Sequence, residues 1–175
     1  SLNLSANHLH ELPDEIVKLQ GLQTLDFHNN RSGLPTEIFA FQNLQTLDLS
    51  GLYLEIFPAE IVKLQRLLTL NLSDNLLSSL PPEIGELQNI ESLDLSGNEL
   101  SNLPAEIVKL QKLKELDLER NKFSILPIEV LKQMRNLKKL NLHKYGDFDY
   151  YKNSLKDEDI EALRLSMPWC EIVWN

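Results

Sequence analysis

A stretch of 21 residues, Ile90 to Leu110, contains the pattern that recurs along most of this chain. It reads IESLDLSGNELSNLPAEIVKL and fits the template LxxLxLxxNxLxxLPxEIxxL. Leu93 and Leu95 are two residues apart, so both face one side of a strand. Pro104 favours the start of a short helical segment, because its ring fixes a helical φ and the amide it lacks would be unpaired there. One such unit cannot bury its own apolar face, so the motif predicts an array of stacked units.

The pattern recurs at nearly constant intervals along the chain. A partial repeat, from Leu2 to Leu19, precedes the first full one. The full repeats are separated by 22, 23, 23, 23 and 24 residues and open at Leu22, Leu44, Leu67, Ile90, Leu113 and Leu137. A fixed period of this length predicts a solenoid.

These motifs resemble those of leucine-rich-repeat (LRR) proteins of the 23-residue type, whose convex segment reads LPxEIxxL. The resemblance covers residues 1–144. The repeats resemble those of secreted bacterial LRR proteins, notably a spirochaetal family, and those of intracellular Ras-group LRR proteins. It implies an α/β fold, a horseshoe-shaped LRR solenoid. A parallel β-sheet would line the concave face, with short helical or 3-10 segments on the convex face. Residues 145–175 would form a C-terminal cap of one helix and one strand.

The resemblance also implies a buried column of asparagines, whose side-chain amides bond to backbone groups in their own and adjacent turns. This asparagine ladder would comprise Asn7, Asn30, Asn75, Asn98 and Asn121. Leu52 replaces the asparagine of one repeat, which predicts a local break, since an unsatisfied buried polar group costs about 1–3 kcal/mol. The repeat before it is one residue short, and Gly33 there can adopt a positive φ. Whether these irregularities are functional or drift stays open.

The template stops after Leu142, where Tyr145 takes the asparagine position and a polar, aromatic loop runs to Asn153. Ser154 to Asp157 resembles a helix N-cap box. A helical face and then a strand are predicted, carried by Ile160, Leu163 and Met167, and by Cys170, Ile172 and Trp174. The resemblance implies that this helix and strand close the hydrophobic core.

Composition narrows the classes of partner. The formal net charge of −9 argues against binding nucleic acid or an anionic membrane surface. The chain contains no apolar run near 18 residues, which predicts no membrane insertion. Its single cysteine excludes an internal disulfide. Many extracellular eukaryotic LRR domains close their ends with cysteine-paired caps, so the resemblance implies a bacterial or intracellular source. No N-terminal cap or signal peptide is visible. The chain is therefore expected to be trimmed there, or to cover its first repeat with a partner, including a second copy in a homodimer.

The sequence offers no catalytic constellation. It lacks HExxH, a phosphate-cradling glycine loop and GxSxG, and Cys170 has no histidine near it in sequence. We therefore predict that the protein is not an enzyme and uses no cofactor. His8, His10 and His28 could approach one another across adjacent repeats, but their spacing does not match a structural zinc site. No metal is predicted.

The first candidate binding surface is the concave face, because curved solenoids bind extended partners there. Its middle column is acidic and polar, its neighbours carry hydroxyls and further charges, and the C-terminal end is strongly charged. Asp and Ser are also the usual residues at these positions in the family, which is the alternative reading. The candidates are Asp26, His28, Asp48, Asn71, Asp94, Glu115, Asp117, Glu119 and Arg120.

The second candidate surface is the flank of loops beside the sheet, where Arg31, Tyr53 and Leu76 share one column. Tyr53 and Leu76 are expected to be exposed, with Leu68 on the concave face close by. An aromatic residue flanked by an arginine is typical of contact hot spots. The alternative is scattered surface apolar residues, which are normal.

The sequence therefore predicts a non-catalytic protein–protein interaction module. The resemblance implies a secreted or surface protein of a bacterium that engages a host or envelope protein, in a role such as attachment. Two alternatives stay open. One is a structural protein that self-associates through its uncapped N-terminal edge, and the other is a cytoplasmic signalling scaffold.

Overall fold

A computed structural model describes residues 1–31, 33–143 and 153–174. Within these residues, eight strands form one parallel sheet in chain order. Equivalent template positions are in register from strand to strand, as in Leu47 against Leu70 and Leu70 against Leu93. The strands are β1 (Leu2–Asn3), β2 (Thr24–Asp26), β3 (Thr46–Asp48), β4 (Thr69–Asn71), β5 (Ser92–Asp94), β6 (Glu115–Asp117), β7 (Lys139–Asn141) and β8 (Glu171–Val173). The predicted LRR solenoid with a parallel sheet is confirmed.

The convex side consists of short helical segments, most of them 3-10 helices. The 3-10 helices are Asp14–Lys18, Thr36–Ala40, Ala59–Lys63, Pro82–Glu86 and Ala105–Lys109. Pro104 lies one position earlier than its predicted place inside the helix. It is the N-cap, with an extended ψ of 148°, and its carbonyl accepts the Ile107 N–H at 3.1 Å. Between sheet and helices, the template leucines fill the core, and Leu93 and Leu95 are both buried.

One convex segment differs because its repeat is longer. The repeat that opens at Leu113 has 24 residues before the next one begins, and its convex segment is a turn of α-helix, α1 (Ile128–Leu131). An α-helix rises about 1.5 Å per residue and a 3-10 helix about 2.0 Å. The α-turn therefore accommodates the added residue without lengthening the segment.

The asparagine ladder is present, and its amides are used at both ends. Asn98 donates to the carbonyls of Leu72 and Leu95 at 2.9 and 3.0 Å and accepts the Leu77 N–H at 3.0 Å. Asn30, Asn75, Asn98 and Asn121 are all buried. Asn7, in the first repeat, is exposed, although its amide still donates to the Leu4 carbonyl at 3.0 Å.

The last rung of the ladder is Asn153, which the sequence predicts to lie at the end of a loop. Asn153 is fully buried. Its amide donates to the Leu118 carbonyl at 2.9 Å, and its oxygen accepts the Phe123 N–H at 3.1 Å. It therefore does for the Phe123 turn what Asn98 does for the Leu77 turn. Tyr145, the residue at the template position, and the loop 144–152 lie outside the described residues.

The predicted break at Leu52 leaves no ladder carbonyl without a donor. Leu52 itself is buried. The Phe27 carbonyl keeps the Asn30 amide at 3.0 Å, and the Leu49 carbonyl keeps the Asn75 amide at 2.9 Å. Each of these two carbonyls accepts one amide where a regular rung supplies two. At these carbonyls the free-energy cost of the break is therefore smaller than that of an orphaned buried group.

The residue just before each ladder position has a left-handed backbone, with φ between 51° and 65°. Glycine fits here for steric reasons. A Cβ on Gly97 would lie 2.4 Å from Asp74 Oδ1, so a larger residue there would displace the Asp74 carboxylate. The left-handed column consists of Ala6, Asn29, Gly51, Asp74, Gly97 and Arg120. Gly33 lies outside this column and has a φ of 130°, the positive φ predicted for it in the shortened repeat.

A helix and a strand follow the last repeat, as the sequence indicated. Helix α2 (Asp157–Ser166) precedes β8, which pairs with β7 through Leu140 and Ile172. The helix begins two residues later than expected. Its N-cap is Lys156, whose N–H bonds to Asp159 Oδ2 at 3.3 Å. The predicted inward face and the final tryptophan are buried, namely Ile160, Leu163, Met167 and Trp174.

Candidate functional site

The middle column of the concave face consists of aspartates and asparagines at the last residue of each strand from β1 to β7. Each side chain turns back so that its Oδ1 accepts the N–H two residues further on. Asp94, for example, accepts the Ser96 N–H at 2.9 Å and the Ser96 hydroxyl at 2.7 Å. The same bond recurs at Asn3, Asp26, Asp48, Asn71, Asp117 and Asn141. This bond explains why the column is restricted to Asp and Asn, but not which of the two stands at each strand.

The second side-chain oxygen of three aspartates accepts an amide from the neighbouring strand. Asn3 donates to Asp26 at 2.9 Å, Asn71 donates to Asp48 at 3.2 Å, and Asn141 donates to Asp117 at 2.9 Å. Among the described residues no side-chain amide bonds Asp94, because its in-register neighbour Asn71 donates to Asp48 instead. Two pairs of aspartates are in register on adjacent strands with no amide between them, Asp26 with Asp48 and Asp94 with Asp117.

The electrostatic effect of this arrangement is visible at Asp117. Burial, in the first place, raises the pKa of this carboxyl above its usual value, and the nearby charges of Asp94 and Glu119 raise it further. Hydrogen bonds from the Asn141 amide and the Glu119 N–H act in the opposite direction. Asp117 therefore carries its negative charge at a position that opposes it.

A small pocket of about 130 Å³ opens on the concave face at this pair. Ser92 and Asp94 line it from β5, and Glu115 and Asp117 line it from β6. Lys139 and Asn141 complete its wall from β7. The structure thus brings together four of the predicted site residues, because Glu119 also reaches this group by accepting the Asn141 amide at 2.8 Å.

Arg120 is oriented differently from its neighbours in sequence. Its guanidinium Nη1 lies 3.4 Å from Asp74 Oδ1, two repeats back. Gly97 stands between the two residues in the left-handed column, and its missing side chain leaves room for the Asp74 carboxylate. Arg120 therefore contributes to the turn column, a role that sequence proximity to Glu119 did not indicate.

At the other end of the concave face, His28 joins the first aspartate pair. Its ring Nδ1 is 2.7 Å from Asp26 Oδ1, and one ligand atom each of Asp26, His28 and Asp48 lies within 4.8 Å of the others. These are the residues that could hold a divalent cation. The structure does not bring His8 and His10 into this group, so the cluster of three histidines considered from the sequence does not form among the described residues.

On the loop flank, Tyr53 is 49% exposed and stacks against Arg31, whose guanidinium carbon lies 4.8 Å from the ring centroid. The Tyr53 backbone has a φ of 60°, a conformation that is uncommon for a bulky residue. Such outliers are found mostly where the surrounding structure holds them, often at functional sites. The structure places the predicted aromatic–arginine pair on the surface.

Leu76, which the sequence predicts to be exposed, is half-buried on the same flank. It lines a pocket of about 470 Å³ with Glu55, Ile56, Ser78 and Glu99. Ile56, which the sequence reading missed, is 81% exposed. Its position between Leu54 and Phe57, at an outward-facing x of the LxxLP step, was the signal that could have revealed it.

Leu68 does not extend this patch. It is 37% exposed and directly precedes β4, whereas Leu76 follows the end of β4 by five residues. The two leucines therefore lie at opposite edges of the sheet, and the expectation that Leu68 is close to the flank is wrong.

Cys170 has the properties of a structural residue. Burial, together with the charge of Glu171, raises the pKa of its thiol to about 11. A thiol with so high a pKa is protonated near neutral pH and is a poor nucleophile.

Among the described residues, no helix is long and apolar enough to cross a bilayer.

Two comparisons with known proteins agree with this architecture. Residues 69–164 match the family model described as a leucine-rich repeat region. The chain is similar to an LRR protein from Leptospira interrogans, at 32% identity and a TM-score of 0.76, over 98% of this chain and 49% of that one. The chain thus spans about half the length of that protein. No curated protein sequence matches it.

Two further structures are similar in fold alone. One is an internalin from Listeria monocytogenes, at 18% identity and a TM-score of 0.62, over 90% of this chain and 45% of that one. The other is the LRR ectodomain of the plant membrane receptor kinase GASSHO1/SCHENGEN3 from Arabidopsis thaliana, solved in complex with CASPARIAN STRIP INTEGRITY FACTOR 2. It matches at 22% identity and a TM-score of 0.67, over 94% of this chain and 22% of that one. Together with the strand register and the family match, these findings show that the chain belongs to the leucine-rich-repeat family and resembles its spirochaetal members.

Proposed function

We propose that this chain is a non-catalytic module that binds a protein partner through its concave face. The fold belongs to a class that generally serves protein–protein interaction. The observation that carries the proposal is the row of half-buried carboxylates along the concave sheet, Asp26, Asp48, Asp94 and Asp117, each held in place by the N–H two residues on. Polar groups held in this way lose little conformational entropy when a partner binds.

The loop flank supports the same proposal as an adjoining contact. Tyr53, Ile56 and Leu76 offer apolar surface, and Arg31 stacks on the tyrosine. Tyrosine and arginine are enriched among the residues that dominate interface energies. A partner that lies along the concave face and reaches past the carboxyl ends of the strands would bury Tyr53, Ile56 and Leu76.

We further propose that the protein acts outside a bacterial cell, secreted or at its surface, on a host or envelope protein. The motive for this location is the resemblance of the LPxEIxxL repeats to those of secreted bacterial LRR proteins. A cytoplasmic scaffold is the alternative. Protease treatment of intact cells distinguishes the two: loss of the chain supports a surface location, and survival until lysis contradicts it.

The binding proposal is tested by affinity capture with a charge-reversed concave face. The native chain and the variant Asp94→Lys with Asp117→Lys are immobilised and exposed to host-surface and bacterial extracts. A matched control carries Glu60→Lys with Glu83→Lys, the same charge change on two exposed convex helices. We expect a protein retained by the native chain and the control but lost by the concave variant. Equal retention by all three contradicts a concave site.

Self-association through the N-terminal edge stays an alternative prediction. Leu2, Leu19 and Leu22 line a shallow pocket at that edge, and Leu19 is 46% exposed. Light scattering across a range of concentrations measures it: a rising mass that Leu19→Lys abolishes supports assembly, and a constant monomer mass contradicts it.

A further inference from the structure

The choice between Asp and Asn along the concave column divides its charge into two groups. On β2 and β3, Asp26 faces Asp48, and on β5 and β6, Asp94 faces Asp117. Between the two groups, β4 presents Asn71, whose amide is bonded to Asp48. The backbone bond at this column accepts either residue type, so the pairing of acids is not required by the fold.

Two aspartates side by side on adjacent strands destabilise the fold when no partner is bound. The strands of a sheet lie about 4.8 Å apart, so facing carboxylates repel each other. The neighbouring strands show the alternative, in which an asparagine amide bonds the carboxylate directly, as Asn141 bonds Asp117. Among the described residues, no lysine or arginine forms an ion pair with any of the four aspartates. A cationic group from a partner would relieve this repulsion at both pairs.

The surroundings of the pair on β5 and β6 fit a cationic side chain and not a folded element. The pocket at Asp94 and Asp117 has a volume of about 130 Å³, and its wall also contains Glu115 and Lys139, so that three carboxylates face one ammonium group. The head group of one lysine or arginine fits a space of this size. A guanidinium suits paired carboxylates best, because its fork of N–H donors can bond two oxygens at once. At the other pair, His28 is hydrogen-bonded to Asp26, so the ring stays beside the carboxylates.

The distance between the two pairs sets the spacing of the partner's cations. The pair on β2 and β3 is three strand steps from the pair on β5 and β6, or about 14 Å at 4.8 Å per step. Four residues of an extended chain span about 13 Å. Residues four apart in an extended chain also point to the same side. A segment that crosses the strands therefore places one cationic side chain at each pair, with the residue midway between them over the uncharged β4.

We propose that the concave face receives an extended basic segment of the partner, with two arginine or lysine side chains four residues apart, one at each aspartate pair. This inference rests on the proposed function and specifies its partner. It goes beyond the general use of curved faces, because both the sign of charge and the spacing follow from where this chain has Asp rather than Asn.

The test uses short alanine- and serine-based peptides of identical composition and charge. One carries two arginines four residues apart, and its isomer carries them three apart, which places them on opposite sides of an extended chain. Binding to the native chain is followed by NMR through the amides of Ser96 and Glu119, which donate to Asp94 and Asp117. We expect these amides to shift on binding and the four-apart peptide to bind about tenfold more tightly than its isomer. Equal affinities would overturn the proposal, because they would indicate charge attraction alone.

Variants locate the effect on the chain. Asp94→Asn should weaken binding of the four-apart peptide by about tenfold, while Glu83→Gln, an equal loss of charge on a convex helix, should leave it unchanged. An unchanged affinity in Asp94→Asn contradicts the proposal. These titrations contain a chelator, and a parallel titration contains zinc in its place. If the preference for the four-apart peptide appears only with zinc, the pair on β2 and β3 is a metal site and the proposal fails. Concave-dependent capture of a partner whose bound segment is not basic would retain the proposed function and reject this inference alone.

Discussion

The repeat builds two polar columns, and they are used in opposite ways. In the asparagine ladder, Asn98 is fully buried and bonds backbone groups of its own and the preceding turn. In the concave column, Asp94 is half-buried and uses one oxygen on its own strand. The in-register amide of Asn71 bonds Asp48 and not Asp94. Each ladder rung uses both ends of an asparagine amide, with Leu52 as the exception, whereas the concave column fixes the shape of the side chain and leaves its charge free. The difference separates what the fold requires from what a partner can select.

The largest expected effect breaks the ladder. Asn98→Ala leaves the Leu77 N–H without an acceptor. It also removes one of two amide donors from the carbonyls of Leu72 and Leu95, which keep the amides of Asn75 and Asn121. The orphaned N–H costs about 1–3 kcal/mol and each lost bond about 0.5–1.5 kcal/mol, so we expect a loss of about 2–5 kcal/mol in the free energy of unfolding. Urea denaturation measures it.

The matched variant is Leu52→Asn, at the natural gap in the ladder. It loses apolar burial worth about 1.5–3 kcal/mol and gains bonds worth about 0.5–1.5 kcal/mol each. We therefore expect a net change within about 1 kcal/mol. A loss as large as that of Asn98→Ala would mean that the ladder site at Leu52 no longer accepts an amide.

A smaller effect is expected at the left-handed turn between the columns. Gly97→Ala adds a Cβ 2.4 Å from Asp74 Oδ1, at a φ that costs an L-residue about 1–2 kcal/mol. We expect a loss of about 1–3 kcal/mol by thermal unfolding. Gly21→Ala is the control, because nothing lies within 4 Å of its added Cβ, and it should be neutral. Equal losses in both variants would contradict a steric requirement at Gly97.

In the concave column we expect a small gain. Asp94→Asn removes the repulsion with Asp117 and supplies an amide, as Asn71 does for Asp48. One such bond is worth about 0.5–1.5 kcal/mol, or roughly 1–6 °C for a chain of this size. The mirror variant Asn71→Asp should lose a similar amount. Destabilisation in Asp94→Asn would show that the acid pair is structural.

The gain should depend on pH, and its sign follows from Asp117. The pKa of this carboxyl is raised in the folded state, so folding binds protons and stability falls as pH rises through that pKa. Relief of repulsion then matters only once Asp117 is charged. We expect the stabilisation by Asp94→Asn near pH 7 and its loss near pH 4. A gain independent of pH would assign the effect to something other than the pair.

The smallest effect is expected from Ser96→Ala. The Ser96 hydroxyl bonds Asp94, but its N–H bonds the same oxygen and remains after substitution. We expect a change in thermal stability within about 0.5 kcal/mol, whereas Leu95→Ala next to it should lose about 2–5 kcal/mol of core burial. Equal losses would contradict the inward and outward assignment of these two residues.

Sequence reasoning predicts the repeating part well because each template position recurs in several repeats and has nearly the same surroundings in each. The strand register, the inward leucines and most ladder residues follow from the template alone. It fails where the chain leaves the template, as at Asn153, which lies eight residues beyond the expected rung, and at Lys156, where capping follows local backbone geometry. It also misses contacts between repeats, such as Arg120 with Asp74, because they depend on distances across the stack.

The central claim is that the partner lies along the concave sheet, and photo-crosslinking tests it most directly. A photoreactive residue replaces Thr69, in the middle strand of that face, or Glu60, on an exposed convex helix, and each chain is irradiated with the captured partner. We expect a covalent adduct from position 69 and none from position 60. An adduct from position 60 alone would place the partner on the convex face and contradict the proposed function.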